Sequence, residues 1–521
     1  MSQSFSIPRR SAGLYDTLWP ADHADTSRRK FVVGGGLPRE IDPSRIRTLS
    51  NKELPYVQWM YTREADELFC YGVPPTPGAR AYLAKVDPQT LAIKQKRVLP
   101  QQIYIGGALM HSNGDVYLVH GPHIYRFPGG NLDQPISAPL PLTNGIFSQY
   151  NGMQVAEDGQ LILKGWAMNV HELGMVWRFG LLFGGLGALL GVALGGLLSL
   201  LGLAPGPGAL SALVLLGPLV LAATLALRTG SSWREFFFPR HTGWVIVVDN
   251  QTLKVVDQSR PPERCAYART SLTPVDRRLE LMPPHGQVPS SPPAEWYIVP
   301  GDEHILRWRY EAGKLTYDPD WTERYRTWGD GTFPGTGPCV YEGQVYYTDN
   351  TFPVGLERGY HLYRKPLEAP SAQQTVDVSP NDAGFMYFAV VVSPGEGDIL
   401  IWDTWKGFLE ARRLHDISQV HWRKEIRNTD CMGVAADRGH IYCSDFDMTL
   451  PSLNAYMGAA ARRDGWPDAT KSFVVLDAGT GKELLRLPLT KGTPNASMVV
   501  PGRHNDVFMG TRPALFRVYQ E

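Results

Sequence analysis

An uncharged apolar stretch, residues 179–227, constrains the fold of this chain more than any other feature. No charged residue lies between Arg178 and Arg228, and the stretch is interrupted only by Ala-Pro-Gly-Pro-Gly at residues 204–208. The arms on either side have 25 and 19 residues, and ~20 apolar residues in a helix cross a hydrocarbon core of about 30 Å. Two buried helices of a soluble core are the alternative, although such helices rarely lack a polar face. The pattern predicts a transmembrane helical hairpin over residues 176–230.

Glycines recur at every fourth position of the first arm. Gly187, Gly191 and Gly195 fall on one side of a helix, because residues four apart are neighbours on its surface. A line of small residues lets a second membrane helix approach closely. The pattern predicts a helix-packing surface, with the second arm as the nearest partner and a second copy of the chain as the alternative.

Positive charges flank the predicted hairpin on both sides. Arg178 precedes it, Arg228 and Arg234 follow it, and its turn is uncharged. Since segments rich in Lys and Arg stay in the cytoplasm, we expect both termini and the rest of the chain on the cytoplasmic side of the inner membrane. Trp177 and Trp233 would lie at that interface, where aromatic side chains are enriched. A hairpin that only enters one leaflet is an alternative with the same orientation.

The charge and cysteine content argue against several classes of protein. Lys plus Arg and Asp plus Glu both number 51, whereas nucleic-acid-binding proteins normally have an excess of basic residues. The five cysteines show no CxxC spacing, so neither a disulfide framework nor a zinc site is predicted. Residues 27–31, Ser-Arg-Arg-Lys-Phe, are similar to a twin-arginine export motif, but the apolar region that an export signal needs does not follow them.

Outside the hairpin, a strand-turn-strand pattern repeats along the chain. Each copy has an apolar strand, a turn containing Gly, Asp or Asn, and a second strand of alternating character. Further strands usually follow the pair. Six clear copies occur at residues 108–119, 153–163, 339–347, 389–401, 432–442 and 498–508.

This repeat predicts an all-β protein with a β-propeller fold. Antiparallel four-stranded units spaced about 40 to 55 residues apart, with little helical periodicity between them, are typical of propeller blades. The pattern predicts about eight blades, with seven as the alternative, and the propeller would comprise residues 51–175 and 231–521. The hairpin would be inserted between the second and third strands of the third blade. The predicted blades begin near residues 54, 105, 147, 262, 328, 383, 428 and 492.

Three turns share a sequence. Residues 477–482 (Asp-Ala-Gly-Thr-Gly-Lys) and 249–254 (Asp-Asn-Gln-Thr-Leu-Lys) resemble the Asp-x-x-Thr-Gly-Lys turn of quinoprotein-like and YVTN-type propeller repeats, and residues 87–91 are a looser version. In such a turn the aspartate bonds the backbone and the glycine adopts a positive φ. The resemblance implies a propeller fold and no particular function.

The last predicted blade has only three strands and ends at Tyr519. Its outer edge would be exposed unless another segment pairs with it. Residues 1–50 are polar and irregular, and we interpret them as an N-terminal arm lying on the propeller. Either residues 29–33 or residues 45–49 of this arm could supply the missing strand and close the ring.

The sequence contains no recognisable catalytic motif. Neither GxSxG, HExxH nor a Walker loop occurs, and no cofactor, metal or catalytic residue is predicted. His111, His120 and His123 are close in sequence, and we interpret them as ordinary histidines. Polar residues that precede the innermost strands of four blades would converge on one mouth of the propeller channel and could bind a ligand or partner. They are Tyr150, Asn151, Asn381, Asp382, Asn428, Asp430 and Asn495, and turn formation is the alternative role of the Asn and Asp residues.

Two functional hypotheses follow. The first is a non-enzymatic scaffold or accessory subunit, in which a membrane-anchored cytoplasmic propeller binds a protein partner, such as another integral membrane protein. The alternative is a membrane-bound hydrolase or oxidoreductase that acts on an amphipathic substrate at the channel mouth. The bilayer itself is a predicted partner in both, and nucleic acid in neither.

Overall fold

A computed structural model shows a chain built mainly of short antiparallel strands. Most of the described residues belong to a compact unit of residues 1–141, 149–165 and 243–521, and a second unit, residues 142–148 and 166–242, contributes only the ends of three strands. The structure describes residues 12–25, 28–74, 80–100, 106–141, 147–168, 241–260, 273–275, 295–301, 303–325, 332–334, 338–351, 361–368, 373–377, 391–394, 399–403, 408–426, 429, 432–446, 470–491 and 498–521.

The N-terminal arm contains two strands, and the remaining strands form eight antiparallel sheets in chain order, which are the blades. The arm contributes β1 (Phe31–Val32) and β2 (Ile46–Asn51). Blade 1 contains β3 (Val57–Thr62), β4 (Leu68–Gly72), β5 (Tyr82–Val86) and β6 (Ile93–Val98). Blade 2 contains β7 (Gly107–Met110), β8 (Val116–His120), β9 (His123–Phe127) and β10 (Ile136–Pro139). Blade 3 contains β11 (Phe147–Val155), β12 (Leu161–Met168), β13 (His241–Val248) and β14 (Val255–Ser259).

The second half of the ring is built in the same way. Blade 4 contains β15 (Thr273–Val275), β16 (Glu295–Pro300), β17 (His304–Glu311), β18 (Lys314–Tyr317) and the short β19 (Glu323–Arg324). Blade 5 contains β20 (Thr332–Pro334), β21 (Cys339–Tyr341), β22 (Gln344–Thr351), β23 (His361–Pro366) and β24 (Gln374–Asp377). Blade 6 contains β25 (Val391–Ser393), β26 (Ile399–Asp403), β27 (Phe408–Arg413) and β28 (Val420–Glu425). Blade 7 contains β29 (Gly433–Ala435), β30 (His440–Phe446), β31 (Thr470–Asp477) and β32 (Glu483–Lys491), and blade 8 contains β33 (Val499–Pro501), β34 (Asp506–Gly510) and β35 (Leu515–Gln520).

Consecutive blades contact each other around the ring. Between blades 2 and 3, the Tyr117 hydroxyl donates to the carbonyl oxygen of Asn250 at 2.8 Å, and β14 contacts β18 between blades 3 and 4. The ring closes where β34 of blade 8 contacts β3 of blade 1. The innermost strands of the other neighbouring blades touch directly: β3 with β7, β15 with β21, β21 with β25, β25 with β29, and β29 with β33.

The strand that blade 8 lacks comes from the N-terminal arm. β2 pairs antiparallel with β35, from Ile46 opposite Gln520 to Asn51 opposite Leu515. Of the two candidate segments, residues 45–49 therefore overlap the closing strand. The other candidate, residues 29–33, contains β1, which pairs in parallel with β29 at the inner edge of blade 7. Both edges accept the arm because they present unpaired backbone groups.

Within the described ranges, four arginines tie neighbouring blades together. Each lies on the third strand counted outward from the channel and donates from Nη1 to a backbone carbonyl of the next blade. Such a bond from a charged donor is stronger than one between neutral groups. The donor–acceptor pairs are Arg126 with Gln251 (3.1 Å), Arg307 with Leu367 (2.6 Å), Arg364 with His415 (2.7 Å) and Arg517 with Gln89 (2.6 Å).

The three related turns have the geometry that their sequences predict. In the turn at residues 249–254, the Oδ1 atom of Asp249 accepts from the backbone N–H of Thr252 at 2.7 Å and from its hydroxyl at 2.7 Å. These bonds, the backbone bond foremost, lower the pKa of Asp249. The fifth turn residue has a positive φ in all three turns: 58° at Leu91, 57° at Leu253 and 70° at Gly481.

Replacing Gly481 by Leu should lower the free energy of unfolding by about 2–4 kcal/mol, combining overpacking with left-handed backbone strain. A Cβ at Gly481 would lie 2.7 Å from the ring of Trp422 in blade 6, whereas Leu91 and Leu253 are accommodated and buried in their own turns. Urea unfolding measures the change. Gly479→Leu is the matched control, since the nearest atom to its Cβ is 3.6 Å away. Equal losses in both variants would contradict the steric explanation.

The predicted hairpin lies within residues 169–240, outside the residues that the structure describes. None of the helices in the described ranges has the length and apolarity required to span a bilayer. Residues 169–240 also include the predicted helix-packing and membrane-interface residues, namely Gly187, Gly191, Gly195, Trp177, Arg178, Arg228, Trp233 and Arg234.

Candidate functional site

Residues 12–25 and 28–37, here called the channel segment, bond to the inner edges of the blades. The carbonyl oxygens of Trp19 and Pro20 accept from the N–H groups of Thr62 in blade 1 (3.0 Å) and Met110 in blade 2 (2.7 Å). Further along, the carbonyl of Arg29 accepts from Val392 in blade 6, and that of Lys30 accepts from Val434 in blade 7. Inner-strand edges face the central channel of a propeller, so the segment occupies that channel.

The channel segment crosses from one side of the ring to the other. Its first half bonds to blades 1 and 2, and its second half bonds to blades 6 and 7. Blades 2 and 6 are opposite in a ring of eight, so Pro20 and Arg29 bond to opposite sides of the channel. The N-terminal arm was expected to lie on the propeller, and in the structure its channel segment bonds to inner strand edges while its β2 pairs with blade 8. The inner edges would otherwise leave backbone N–H groups without partners, which is costly when they are buried.

The crossing part of the segment is rich in buried ionisable side chains. Burial of several charges is unfavourable unless they are paired or neutralised. The protonation state of each group therefore depends on the opposite charge or hydrogen-bond partner that lies next to it. The six residues concerned are each at most 4% exposed: Asp22, His23, Asp25, Arg28, Arg29 and Lys30.

Asp22 is held by the innermost strands of blades 1 and 2. Its Oδ1 accepts from the Tyr61 hydroxyl at 2.6 Å, and the same hydroxyl oxygen accepts from the Ala108 N–H at 3.0 Å. A Cβ at Gly107 would come within 2.7 Å of Asp22 Oδ2, so glycine permits this close approach. Burial raises the pKa of Asp22 to about 6, and the Arg28 charge and the Tyr61 bond oppose that rise.

His23 follows Asp22 in the sequence, and its pKa is shifted in the opposite direction. Its ring meets Trp59 of β3 edge to face, with the centroids 5.4 Å apart. Burial lowers the pKa of His23 well below its usual value, and the charges of Arg28 and Lys30 lower it further. The imidazole is therefore neutral at pH 7.

The channel segment also contains a buried ion pair and several residues with a strained backbone. Arg29 Nε donates to Asp25 Oδ2 at 2.7 Å, and the Arg29 N–H donates to Asp25 Oδ1 at 3.2 Å. Four residues here have positive φ values without being glycine: His23 (63°), Ala24 (76°), Arg28 (56°) and Lys30 (59°). Such conformations persist only where the surroundings enforce them, and they cluster at functional sites.

Of the predicted mouth residues, Tyr150 alone has a described side chain. It is buried, its hydroxyl donates to the Pro141 carbonyl at 2.7 Å, and the oxygen accepts from Trp244 Nε1 at 3.0 Å. Burial raises its pKa to about 12. Asn151 lies in β11, while Asn381, Asp382, Asn428, Asp430 and Asn495 fall outside the described residues.

The three neighbouring histidines do not form a common site. His120 Nε2 donates to the Pro100 carbonyl at 2.6 Å, and its Nδ1 accepts from the Tyr71 hydroxyl at 2.7 Å. His111 Nε2 donates to the Gly159 carbonyl at 2.9 Å, and His123 is exposed on β9. Across the described ranges, no group of three or more His, Cys, Asp or Glu side chains could hold a metal ion.

Solved structures with a similar backbone include β-propellers. A quinohemoprotein alcohol dehydrogenase from Comamonas testosteroni aligns over 98% of this chain and 81% of its own length, with 9% identity and a TM-score of 0.52. The WD40 domain of SCAP from fission yeast aligns over 92% and 98%, with 6% identity and a TM-score of 0.46. The Dos1 propeller aligns over 90% and 95%, with 6% identity and a TM-score of 0.45.

These comparisons concern the fold alone, because unrelated functions share it. No family model matches the sequence, and no curated protein matches it. The eight sheets and the similarity to the dehydrogenase agree with the repeat pattern in the sequence. The chain is a β-propeller repeat protein.

Proposed function

We propose that this protein is a membrane-tethered propeller that acts as a scaffold or accessory subunit by binding a protein partner. The observation that carries the proposal is the channel segment. A substrate that entered the channel would compete with residues whose backbone bonds to blades 1, 2, 6 and 7. The outer surface and the loops remain as binding surfaces, which favours partner binding over catalysis in the channel.

The tether is argued from the sequence. Residues 179–227 contain no charge over two arms of membrane-spanning length. The chain enters this stretch after β12 and returns at β13, so one insertion in blade 3 would anchor the whole propeller. Arg178, Arg228 and Arg234 support an orientation with the propeller on the cytoplasmic side of the inner membrane.

The partner surface in the bilayer would be the glycine line of the first arm. Gly187, Gly191 and Gly195 would let another helix pack at short distance, where dispersion and weak backbone contacts add up. Leucine at the middle position would hold that helix away. Contact with the propeller rim would then supply the cytoplasmic part of the interface.

Co-purification from native membranes tests the proposal. The tagged full-length protein is extracted in mild detergent, and bound proteins are quantified for the wild type and two variants. Gly191→Leu should lose a stoichiometric partner, whereas Gly196→Leu, about 140° around the helix, should keep it. All three proteins should stay in the membrane fraction after alkaline carbonate washing.

Two results would contradict the proposal. Release of the wild-type protein by the carbonate wash would show that it is not anchored in the membrane. A protein that purifies alone and turns over an amphipathic substrate, with turnover lost in a folded Asp430→Ala variant, would establish the enzyme instead.

A further inference from the structure

The strand order of the blades gives the propeller two distinct faces. One, here called the insertion face, carries the connections from the second to the third strand of a blade and from the fourth strand to the next blade. β12 ends at Met168 and β13 begins at His241 on this face, so the long insertion of blade 3 leaves from it and returns to it. The opposite face, here called the turn face, carries the Asp-x-x-Thr turns. The division follows because consecutive antiparallel strands run in opposite directions.

Exposed cations lie on the insertion face of blades 8, 1 and 3. Lys52 follows β2, which completes blade 8, and Arg80 precedes β5 of blade 1. Arg97 lies near the end of β6, and Arg260 follows β14. These four residues are here called the basic patch. Among the described residues of this face in blades 8, 1, 2 and 3, the exposed acidic residue is Glu53.

Direct contacts bring three residues of the basic patch to one part of the face. Lys96 of β6 donates from Nζ to the Glu53 carbonyl at 2.8 Å and lies 4.4 Å from the centre of the Tyr82 ring. The Tyr82 hydroxyl donates to the Pro55 carbonyl at 2.6 Å. The connection from blade 8 to blade 1 therefore packs on the ends of β5 and β6, so its lysine lies near the two arginines of those strand ends.

The fourth residue, Arg260, lies beside the start of β13. Its guanidinium carbon is 5.9 Å from the centre of the Trp244 ring. Trp244 Nε1 donates to the Tyr150 hydroxyl of β11 at 3.0 Å, and a Cβ at Gly165 of β12 would lie 2.2 Å from the indole. The indole is thus fixed between neighbouring strands, and it places Arg260 next to the strand at which the chain returns from the insertion.

The turn face of the same part of the ring has the opposite charge. In the connections of blades 1, 2 and 3 on that face, exposed acids outnumber the exposed cations, which are Lys94 and Lys254. A negatively charged bilayer surface attracts basic segments and would repel these acids. The acids are Glu64, Asp66, Asp133 and Asp158.

We propose that the basic patch binds the headgroups of anionic phospholipids and holds the insertion face against the bilayer. This inference rests on the proposed membrane tether and adds to it the class of lipid, the face of the propeller and the residues in contact. Each Lys or Arg near an anionic membrane surface favours binding about fivefold. The four cations together therefore fix the orientation of the propeller on a membrane that contains such lipids.

Acetylation of lysine side chains in the full-length protein tests this contact. The protein is reconstituted into nanodiscs of phosphatidylcholine, alone or with about 30% phosphatidylglycerol, and mass spectrometry measures the rate at each lysine. Lys52 should react about fivefold more slowly in the anionic discs. Lys254, Lys314 and Lys482, which are exposed at the turn face, should react equally in both. About 0.5 M salt should abolish the difference at Lys52, because it screens exposed charges.

Two triple variants provide the matched comparison, with Lys52 as the reporter in each. Arg80→Gln, Arg97→Gln and Arg260→Gln together should reduce the difference between the two kinds of disc to less than about twofold. Replacing Lys254, Lys314 and Lys482 by Gln removes the same charge from the turn face and should leave the fivefold difference. A Lys52 rate that is equal in both kinds of disc overturns the inference, as does a difference that persists in the triple arginine variant.

Failure of the tether itself would be observed separately. A protein that enters both kinds of disc, but whose Lys52 reacts equally in them, would retain the tether and lack the lipid contact. A protein that enters neither would lack the tether. The same acetylation with preformed vesicles of the two compositions would then decide whether the basic patch binds anionic lipid.

Discussion

Replacing Arg517 by Ala should lower the free energy of unfolding by about 3–5 kcal/mol, the usual cost of removing one partner from a buried ion pair. Arg517 Nε donates to Asp506 Oδ2 at 2.8 Å, and Nη1 donates to the Gln89 carbonyl in blade 1 at 2.6 Å. Burial already raises the pKa of Asp506, and Arg517 counteracts that rise. The variant leaves this carboxylate buried without its guanidinium and removes a bond between the two ends of the ring.

Arg47→Ala is the control, and urea unfolding is the measurement. Arg47 also bridges the chain ends, through Glu521 at 3.1 Å, but both side chains are about half exposed, at 47% and 54%. An exposed pair contributes about 0–1 kcal/mol. If Arg47→Ala lowered the free energy of unfolding as much as Arg517→Ala, closure of the ring would not depend on the buried interactions of Arg517.

Trp19→Ala should also cost about 3–5 kcal/mol, the range for truncating a fully buried aromatic side chain. Trp19 belongs to the channel segment, is 0% exposed and packs in the apolar cluster shared by blades 8 and 1, which contains Met60 and Phe508. The result would show that the segment is part of the core.

Trp19→Phe distinguishes packing from hydrogen bonding. Among the residues that the structure describes, the Trp19 indole N–H has no hydrogen-bond partner. Phenylalanine keeps most of the apolar surface, so its cost should be about 2 kcal/mol or less. Thermal unfolding of both variants measures the difference. A Trp19→Ala protein as stable as the wild type would mean that the segment does not occupy the channel in solution.

Much of the fold could be predicted from local sequence patterns. A blade consists of strands adjacent in sequence, so alternating residues and Asp-x-x-Thr turns predict it without long-range information. The predicted blade starts near 54, 105 and 147 agree with β3, β7 and β11, which begin at Val57, Gly107 and Phe147. The three-stranded last blade correctly indicated that the N-terminal arm supplies a strand.

The channel segment could not be predicted in this way. It has almost no periodicity of its own, and its partners are strand edges in blades that are hundreds of residues apart. Three consecutive cations, Arg28, Arg29 and Lys30, normally indicate an exposed segment. Here all three are buried, and the carboxylate that pairs with Arg29 is Asp25 of the same segment. The interblade arginines were missed for a related reason, since their acceptors are backbone carbonyls, which no side-chain motif reveals.

A structure of the protein purified at native abundance from its own membranes, in mild detergent, would distinguish the tethered scaffold from the enzyme. We expect a detergent belt around residues 179–227, a channel occupied by residues 12–37, and additional protein density against the glycine line or the propeller rim. A lone propeller without a detergent belt, holding a small molecule in an open channel, would contradict it.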